Sequence, residues 1–345
     1  MNISAHLVLG LVVLGLGVTA PPAKAQSFVR TMGFVNAPQG VAVDTANGSN
    51  VLAADLVNDQ VDVFSATGTF LRTFGSSGSG AGQLNTPQGV AVDTANGSNV
   101  IVADAGNDRV EVFSATGTFI RTIGSAGSGD GQLINPAGVA VDTANGSSVL
   151  VVDSNNNRVE VFSATGTFIR TIGSAGGGDG QLTSPFGVAV DTANGSNVLV
   201  ADSANSRVEV FSATGSFIRT IGSFGGGDGQ LSGPLGVAVD TANGSNVLVA
   251  DTRNNRVEVF SATGTFIRTI GSFGSGDGQL SSPAGVAVDT ANGSNVLVAD
   301  SVNDRVEVFT SGNALPVPAL GIWGLLLSAV LLAGMGCHAT RRSVA

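Results

Sequence analysis

The chain has 345 residues, 50 of them Gly, and a formal charge of -10 from 15 Lys and Arg against 25 Asp and Glu. So acidic a chain excludes recognition of nucleic acid through a basic face, because that binding rests on Lys and Arg neutralising phosphates. With 43% hydrophobic and only 12% charged residues it is too apolar for a disordered chain, and its glycines suit strands joined by tight turns.

In chain order, residues 1–25 read as a signal peptide. Leu7 to Val18 is a short apolar run, and Ala23-Lys24-Ala25 supplies the small-x-small pattern ahead of a cut at Gln26. Export is therefore expected, although the segment before the apolar run lacks Lys and Arg.

From there the chain repeats itself. A Gly-Val-Ala-Val-Asp block begins at Gly40, Gly89, Gly138, Gly187, Gly236 and Gly285, a constant spacing of 49 (Gly40 to Gly89, and so on). A fixed period of that size marks a solenoid, propeller or array. Each unit holds four β-branched or aromatic runs bounded by Gly, Asn, Asp and Pro; in the second copy they are Gly89 to Asp93, Val100 to Asp104, Arg109 to Phe113 and Phe119 to Gly124. Asn96-Gly97 and Thr116-Gly117 supply turns that need positive φ. Four antiparallel strands per unit make the blade of a β-propeller.

The repeat starts and stops out of phase. The last unit ends after its third strand, Arg305 to Phe309, while Ser27 to Gly33 matches fourth strands such as Thr118 to Gly124. The expectation is an all-β, six-bladed β-propeller over residues 26–310 whose last blade is closed by the N-terminal strand, leaving no blade incomplete.

Residues 311–318 form a linker stiffened by Pro316 and Pro318. Ala319 to Cys337 is uncharged and is expected to form one C-terminal transmembrane helix, since at about 1.5 Å per residue it approaches the ~30 Å hydrocarbon core. Arg341 and Arg342 follow it, which leaves the tail inside and the propeller outside the cytoplasm. The run Pro316-Val317-Pro318-Ala319-Leu320-Gly321-Ile322-Trp323-Gly324, then a helix, then the basic pair, resembles the PEP-CTERM and IPTL-CTERM sorting tails of exported bacterial proteins. That resemblance implies membrane insertion through residues 319–337, a sorting protease as partner, and either a lasting anchor or release to the cell surface.

The repeat units themselves resemble the NHL repeat family through Gly-Asp-Gly-Gln-Leu, Gly-Val-Ala-Val-Asp, Val-Leu-Val-Ala-Asp and Asn-x-Arg-Val-Glu-Val-Phe. The resemblance implies a propeller, commonly of six blades. It implies a fold and no particular activity.

Residues 26–315 contain no His, Lys, Cys, Tyr or Trp, which removes His-ligated metals, Ser-His-Asp and Cys-His nucleophiles, Schiff-base lysines and tyrosine nucleophiles. No catalytic residue is assigned and the reading leans away from an enzyme. Carboxylates remain. Asp55, Asp104, Asp153, Asp202, Asp251 and Asp300 each close a second strand and precede an Asn three positions on. They read first as turn residues, with a carboxylate ring holding calcium as the alternative. Asp130, Asp179, Asp228 and Asp277 read as loop residues.

The copies differ from one another chiefly in two sets of loops that a four-stranded blade places on one face. Between strands two and three stand Leu56-Val57, Ala105-Gly106, Ser154-Asn155, Ser203-Ala204, Thr252-Arg253 and Ser301-Val302; the links between blades end in Gln39, Gln88, Ala137, Phe186, Leu235 and Ala284. Of the 17 Phe, four fall in the links, namely Phe34, Phe186, Phe224 and Phe273. Aromatics without a packing role common to all copies are candidates for contact. The candidate binding residues are Phe34, Phe186, Phe224, Leu235, Arg253 and Phe273. The expected function is a non-enzymatic binding or scaffold module of the bacterial envelope, recognising a protein or an extracellular polysaccharide; the alternative is a calcium-dependent lactonase-type hydrolase.

Overall fold

Within each unit the second strand is apolar on both faces, as in Asn-Val-Ile-Val-Ala-Asp at Asn99–Asp104, and both faces are buried; the third, as in Arg109–Phe113, is also buried on both faces although one of them carries a Glu. Strands covered on two sides read as near-continuous apolar runs. The fourth strand, Phe119–Ile123, alternates buried and exposed positions instead, which marks an outer edge. The computed structural model describes residues 27–310 and arranges them as six four-stranded antiparallel sheets in a ring. The signal peptide, the linker and the transmembrane tail expected from the sequence lie outside the described residues. Among the described residues no helix is long and apolar enough to cross a membrane.

Blade two is representative, with strands Pro87–Asp93, Asn99–Asp104, Arg109–Phe113 and Phe119–Ile123 paired in that order from the axis outward. These bounds agree with the sequence reading to within two residues. Blade six consists of Pro283–Asp289, Asn295–Asp300, Arg305–Phe309 and the N-terminal strand Phe28–Met32, which pairs antiparallel with Arg305–Phe309. The ring is closed by the strand the repeat phase requires.

The core lies between blades. One cluster joins Ala91, Ile101 and Ala103 of blade two to Val139, Val149, Val151 and Phe162 of blade three. Five more repeat it, the last joining Leu297, Val306 and Val308 of blade six to Val41, Val51 and Phe64 of blade one, with Met32 between them. Each unit thus buries its apolar faces only against its neighbours.

At the axis the innermost strands converge on the six repeat-opening glycines. A Cβ on Gly138 would lie 2.4 Å from the Phe186 carbonyl oxygen and 3.0 Å from the Gly187 Cα, and one on Gly285 would lie 2.6 Å from the Gln39 carbonyl oxygen. The 49-residue period therefore begins on a residue chosen for close backbone approach.

Candidate functional site

The two faces of the ring are built differently. On the constant face, the first strand of each blade ends in a buried Asp whose carboxylate accepts from an Asn three residues on, 2.7 Å for Asn47 to Asp44. The same carboxylate also accepts a bond from the Ser hydroxyl of the next blade. Ser98 to Asp44, Ser147 to Asp93, Ser196 to Asp142, Ser245 to Asp191, Ser294 to Asp240 and Ser49 to Asp289 run 2.7–2.8 Å and return to the start. This closed belt explains the uniform Asp-Thr-Ala-Asn-Gly-Ser block, which the sequence shows as a turn and not as a bond between blades.

On the variable face, Asp104, Asp153, Asp202, Asp251 and Asp300 are fully buried. Asp104 accepts from Asn107 at 2.8 Å, from Arg109 at 2.9 Å and from the backbone N–H of Asn85 in the incoming link at 2.7 Å. The arginine also donates to the carbonyls of Ser79, Gly80 and Gln83, fastening the Gly-rich link to its blade. The six carboxylates are held separately, each by its own blade's turn and incoming link. Among the described residues no group of three Asp, Glu, His or Cys gathers in a way that could hold a metal ion. Blade one departs: its incoming link is the short Gly33 to Ala37, and Gln60 and Asp62 stand where other blades have Arg and Glu. Without a Gly-rich link to fasten, the arginine loses its acceptors.

Beside each clamp a buried Glu pairs with the same arginine, Glu258 with Arg256 at 2.9 Å. Burial pushes the Glu258 carboxyl up to about 7 against the pull of Arg256. Glu111, Glu160, Glu209 and Glu307 are raised too, burial again the leading cause. A carboxyl with a raised folded-state pKa binds protons better in the native protein, so its contribution is complete below its unfolded pKa near 4.5 and is lost as pH rises through the folded value near 7. The melting temperature should therefore be higher at pH 5.5 than at pH 8. Glu258→Gln should flatten that dependence; an equally steep profile in the variant would contradict the assignment.

Six-fold regularity breaks at the junction of blades four and five. The residue before each link proline donates its N–H to the side chain ending the previous blade's second turn: Ala37 to Asp304, Thr86 to Asp59, Asn135 to Asp108, Ser184 to Asn157 and Ser282 to Asn255, all 2.7–2.9 Å. Between blades four and five the pair is Gly233 to Ser206, stretched to 3.3 Å because serine reaches less far. The innermost strand of blade five is also shortened to Val237–Asp240, where the other five begin at a proline. A groove of about 370 Å³ opens there, lined by Ser184, Ser203, Gly233, Leu235, Thr252 and Arg253.

Leu235 and Arg253, two of the sequence candidates, meet in this groove. Arg253 lies across Gly233, its Nε 3.0 Å from where a Cβ would stand, and only this copy has Gly at that position. Its guanidinium makes no hydrogen bond or ion pair among the described residues. Of the repeat's other arginines, those of the third strands are taken up by the clamps, and Arg30, Arg72, Arg121, Arg170 and Arg219 of the fourth strands reach carbonyls in the next blade's turn. Phe186 is half-buried and sits with Leu235 in the ring around a small axial cavity of about 60 Å³, opposite Gln39 and Gln88. Phe34, Phe224 and Phe273 are 71–74% exposed and line neither cavity. Phe224 and Phe273 stand at the outer ends of their links, opposite Leu231 and Leu280. Ser203 and Thr252 stand among the loop positions at which the copies differ but not among the sequence candidates, and Ser184 and Gly233 do not stand out there at all; the singular Gly233 was the available signal.

The NHL repeat family model matches residues 231–260, the stretch that carries Gly233, Leu235 and Arg253. No curated protein matches the chain. Among solved structures, the nidogen/laminin complex is similar at 22% identity over 68% of this chain and 80% of that one, with a TM-score of 0.56. A gluconolactonase from Xanthomonas campestris is similar at 14% identity over 83% and 94%, TM-score 0.61, and virginiamycin B lyase from Staphylococcus aureus at 12% over 81% and 98%, TM-score 0.55. At these identities the likeness is one of fold, shared by a binding protein and by enzymes. Ring and repeat together make residues 27–310 a six-bladed β-propeller that carries an NHL repeat.

Proposed function

We propose that this propeller is a non-enzymatic binding or scaffold module, exported to the bacterial envelope, that recognises a surface protein or an extracellular polysaccharide through its variable face. The observation that supports this most is where symmetry fails. The weakened Gly233 to Ser206 bond, the shortened inner strand and the unpaired Arg253 coincide on that face at one junction, while the opposite face keeps an unbroken Asp and Ser belt. Selection for stability alone gives no reason to loosen one junction of six. Export would follow the signal peptide, and the tail would anchor the ring until a sorting protease acts; mass spectrometry of the mature termini tests both.

For the binding role, the full-length protein should capture ligands from a panel of glycans and envelope proteins, and the double variant Phe186→Ala, Leu235→Ala should weaken capture about tenfold or more with the melting temperature little changed. Unaltered capture would remove the variable face as the recognition surface. The alternative, a calcium-dependent lactonase-type hydrolase, has in its favour the fold it shares with the gluconolactonase. It would need carboxylates that here already bond to Asn, Arg and backbone. Lactone hydrolysis that appears with calcium would support it over the binding role.

A further inference from the structure

The groove between blades four and five has a donor and acceptor pattern that restricts what it can hold. The Ser203 hydroxyl donates to the Pro234 carbonyl and the Thr252 hydroxyl to the Pro283 carbonyl, the latter at 2.8 Å. A hydroxyl has one proton and two lone pairs, so with the proton used in each, both can only accept from a ligand. Arg253 can only donate, through a planar fork suited to a carboxylate or a phosphate. It is the one cation in the groove, in a chain of formal charge -10. A phosphate group, with a charge of about -1.5 to -2 near neutral pH, would be left partly uncompensated there, whereas a carboxylate is matched one to one. Leu235 adds an apolar wall to the same groove.

A ligand that fits must carry one carboxylate, several hydroxyl donors and an apolar C–H face within about 370 Å³. We propose that the groove binds a uronic acid unit of an acidic polysaccharide, with its carboxylate on Arg253, its hydroxyls donating to Ser203 and Thr252, and its ring against Leu235. This deepens the binding role proposed above and rests on it. An aspartate or glutamate side chain supplies the carboxylate without the cluster of hydroxyl donors, so an acidic peptide fits less well. Gly233 has a part in this: any Cβ there would meet Arg253 at 3.0 Å and shift it from the groove.

The test is calorimetric titration of the full-length protein with short oligogalacturonate, with the same oligomer methyl-esterified, and with hexaglutamate. The acid oligomer should bind about tenfold or more tightly than the ester, and its affinity should fall with added salt because the pair is exposed. Arg253→Gln should weaken the acid about tenfold or more, leave the ester unchanged and keep the melting temperature, since Arg253 is exposed. Equal binding of acid and ester, an unaffected Arg253→Gln, no binding of the acid oligomer, or hexaglutamate binding as tightly as the sugar acid would each overturn the assignment. If the acid fails while another ligand still depends on Phe186 and Leu235, the recognition face survives and the uronate assignment alone falls; if nothing depends on them, both fall.

Discussion

Deleting Ser27 to Gly33 should lower stability by several kcal/mol and the melting temperature by ten degrees or more. The strand Phe28–Met32 contributes ladder bonds to Arg305–Phe309, each about 0.5 to 1.5 kcal/mol net. Met32 is fully buried between Phe64 and Val306, a contribution of roughly 1.5 to 3 kcal/mol. Phe28, the aromatic of the same strand, is only half-buried, so Met32 holds the seam. Two further links to the ring go with the strand, Arg30 to the Ala66 carbonyl of blade one and Thr31 to Glu307 at 3.2 Å. Because the core lies between blades, opening one seam exposes apolar surface on both sides of it. Re-attaching the strand after Thr310 should restore most of the loss, since the Thr310 N–H already donates to the Ser27 carbonyl at 3.0 Å. Thermal unfolding of the three proteins decides it. A deletion that melts like the parent would show that the ring does not depend on this strand.

Gly138→Ala should destabilise the propeller by about 3 kcal/mol, at the upper end of ordinary overpacking, because the added methyl meets backbone at 2.4 Å and backbone cannot rotate away. The shift must pass to Gly187 of blade four and so around the axis. Gly146→Ala is the control: it has positive φ, +67°, with nothing within 4 Å of its Cβ, and should cost only about 1 kcal/mol of backbone strain. If the two variants prove equally stable by chemical denaturation, close approach at the axis is not what fixes glycine at the repeat's first position.

Much of this was legible in the chain because it is written six times. β-Branched and aromatic runs and Asn-Gly turns mark the strands, and the phase offset between Ser27 and Phe309 assigns the closing strand without any contact being known. The roles of the carboxylates were less legible. Asp44 and Asp55 both precede an Asn three residues later and look alike as turn residues; yet one joins its blade to Ser98 of the next, and the other receives the incoming link. The candidate aromatics were legible as exceptions to the repeat, but not their grouping, because a link's outer end at Phe224 and its inner end at Leu235 belong to different parts of the face.

The sequence by itself determined the ring, since period, strand count and phase are local patterns that admit one closure. Only the tertiary structure decided where the ring departs from its own symmetry. Ser203, Gly233 and Arg253 stand at separate variable positions of the repeat in the sequence, and they become a groove only because blades four and five, which carry them, are pressed side by side.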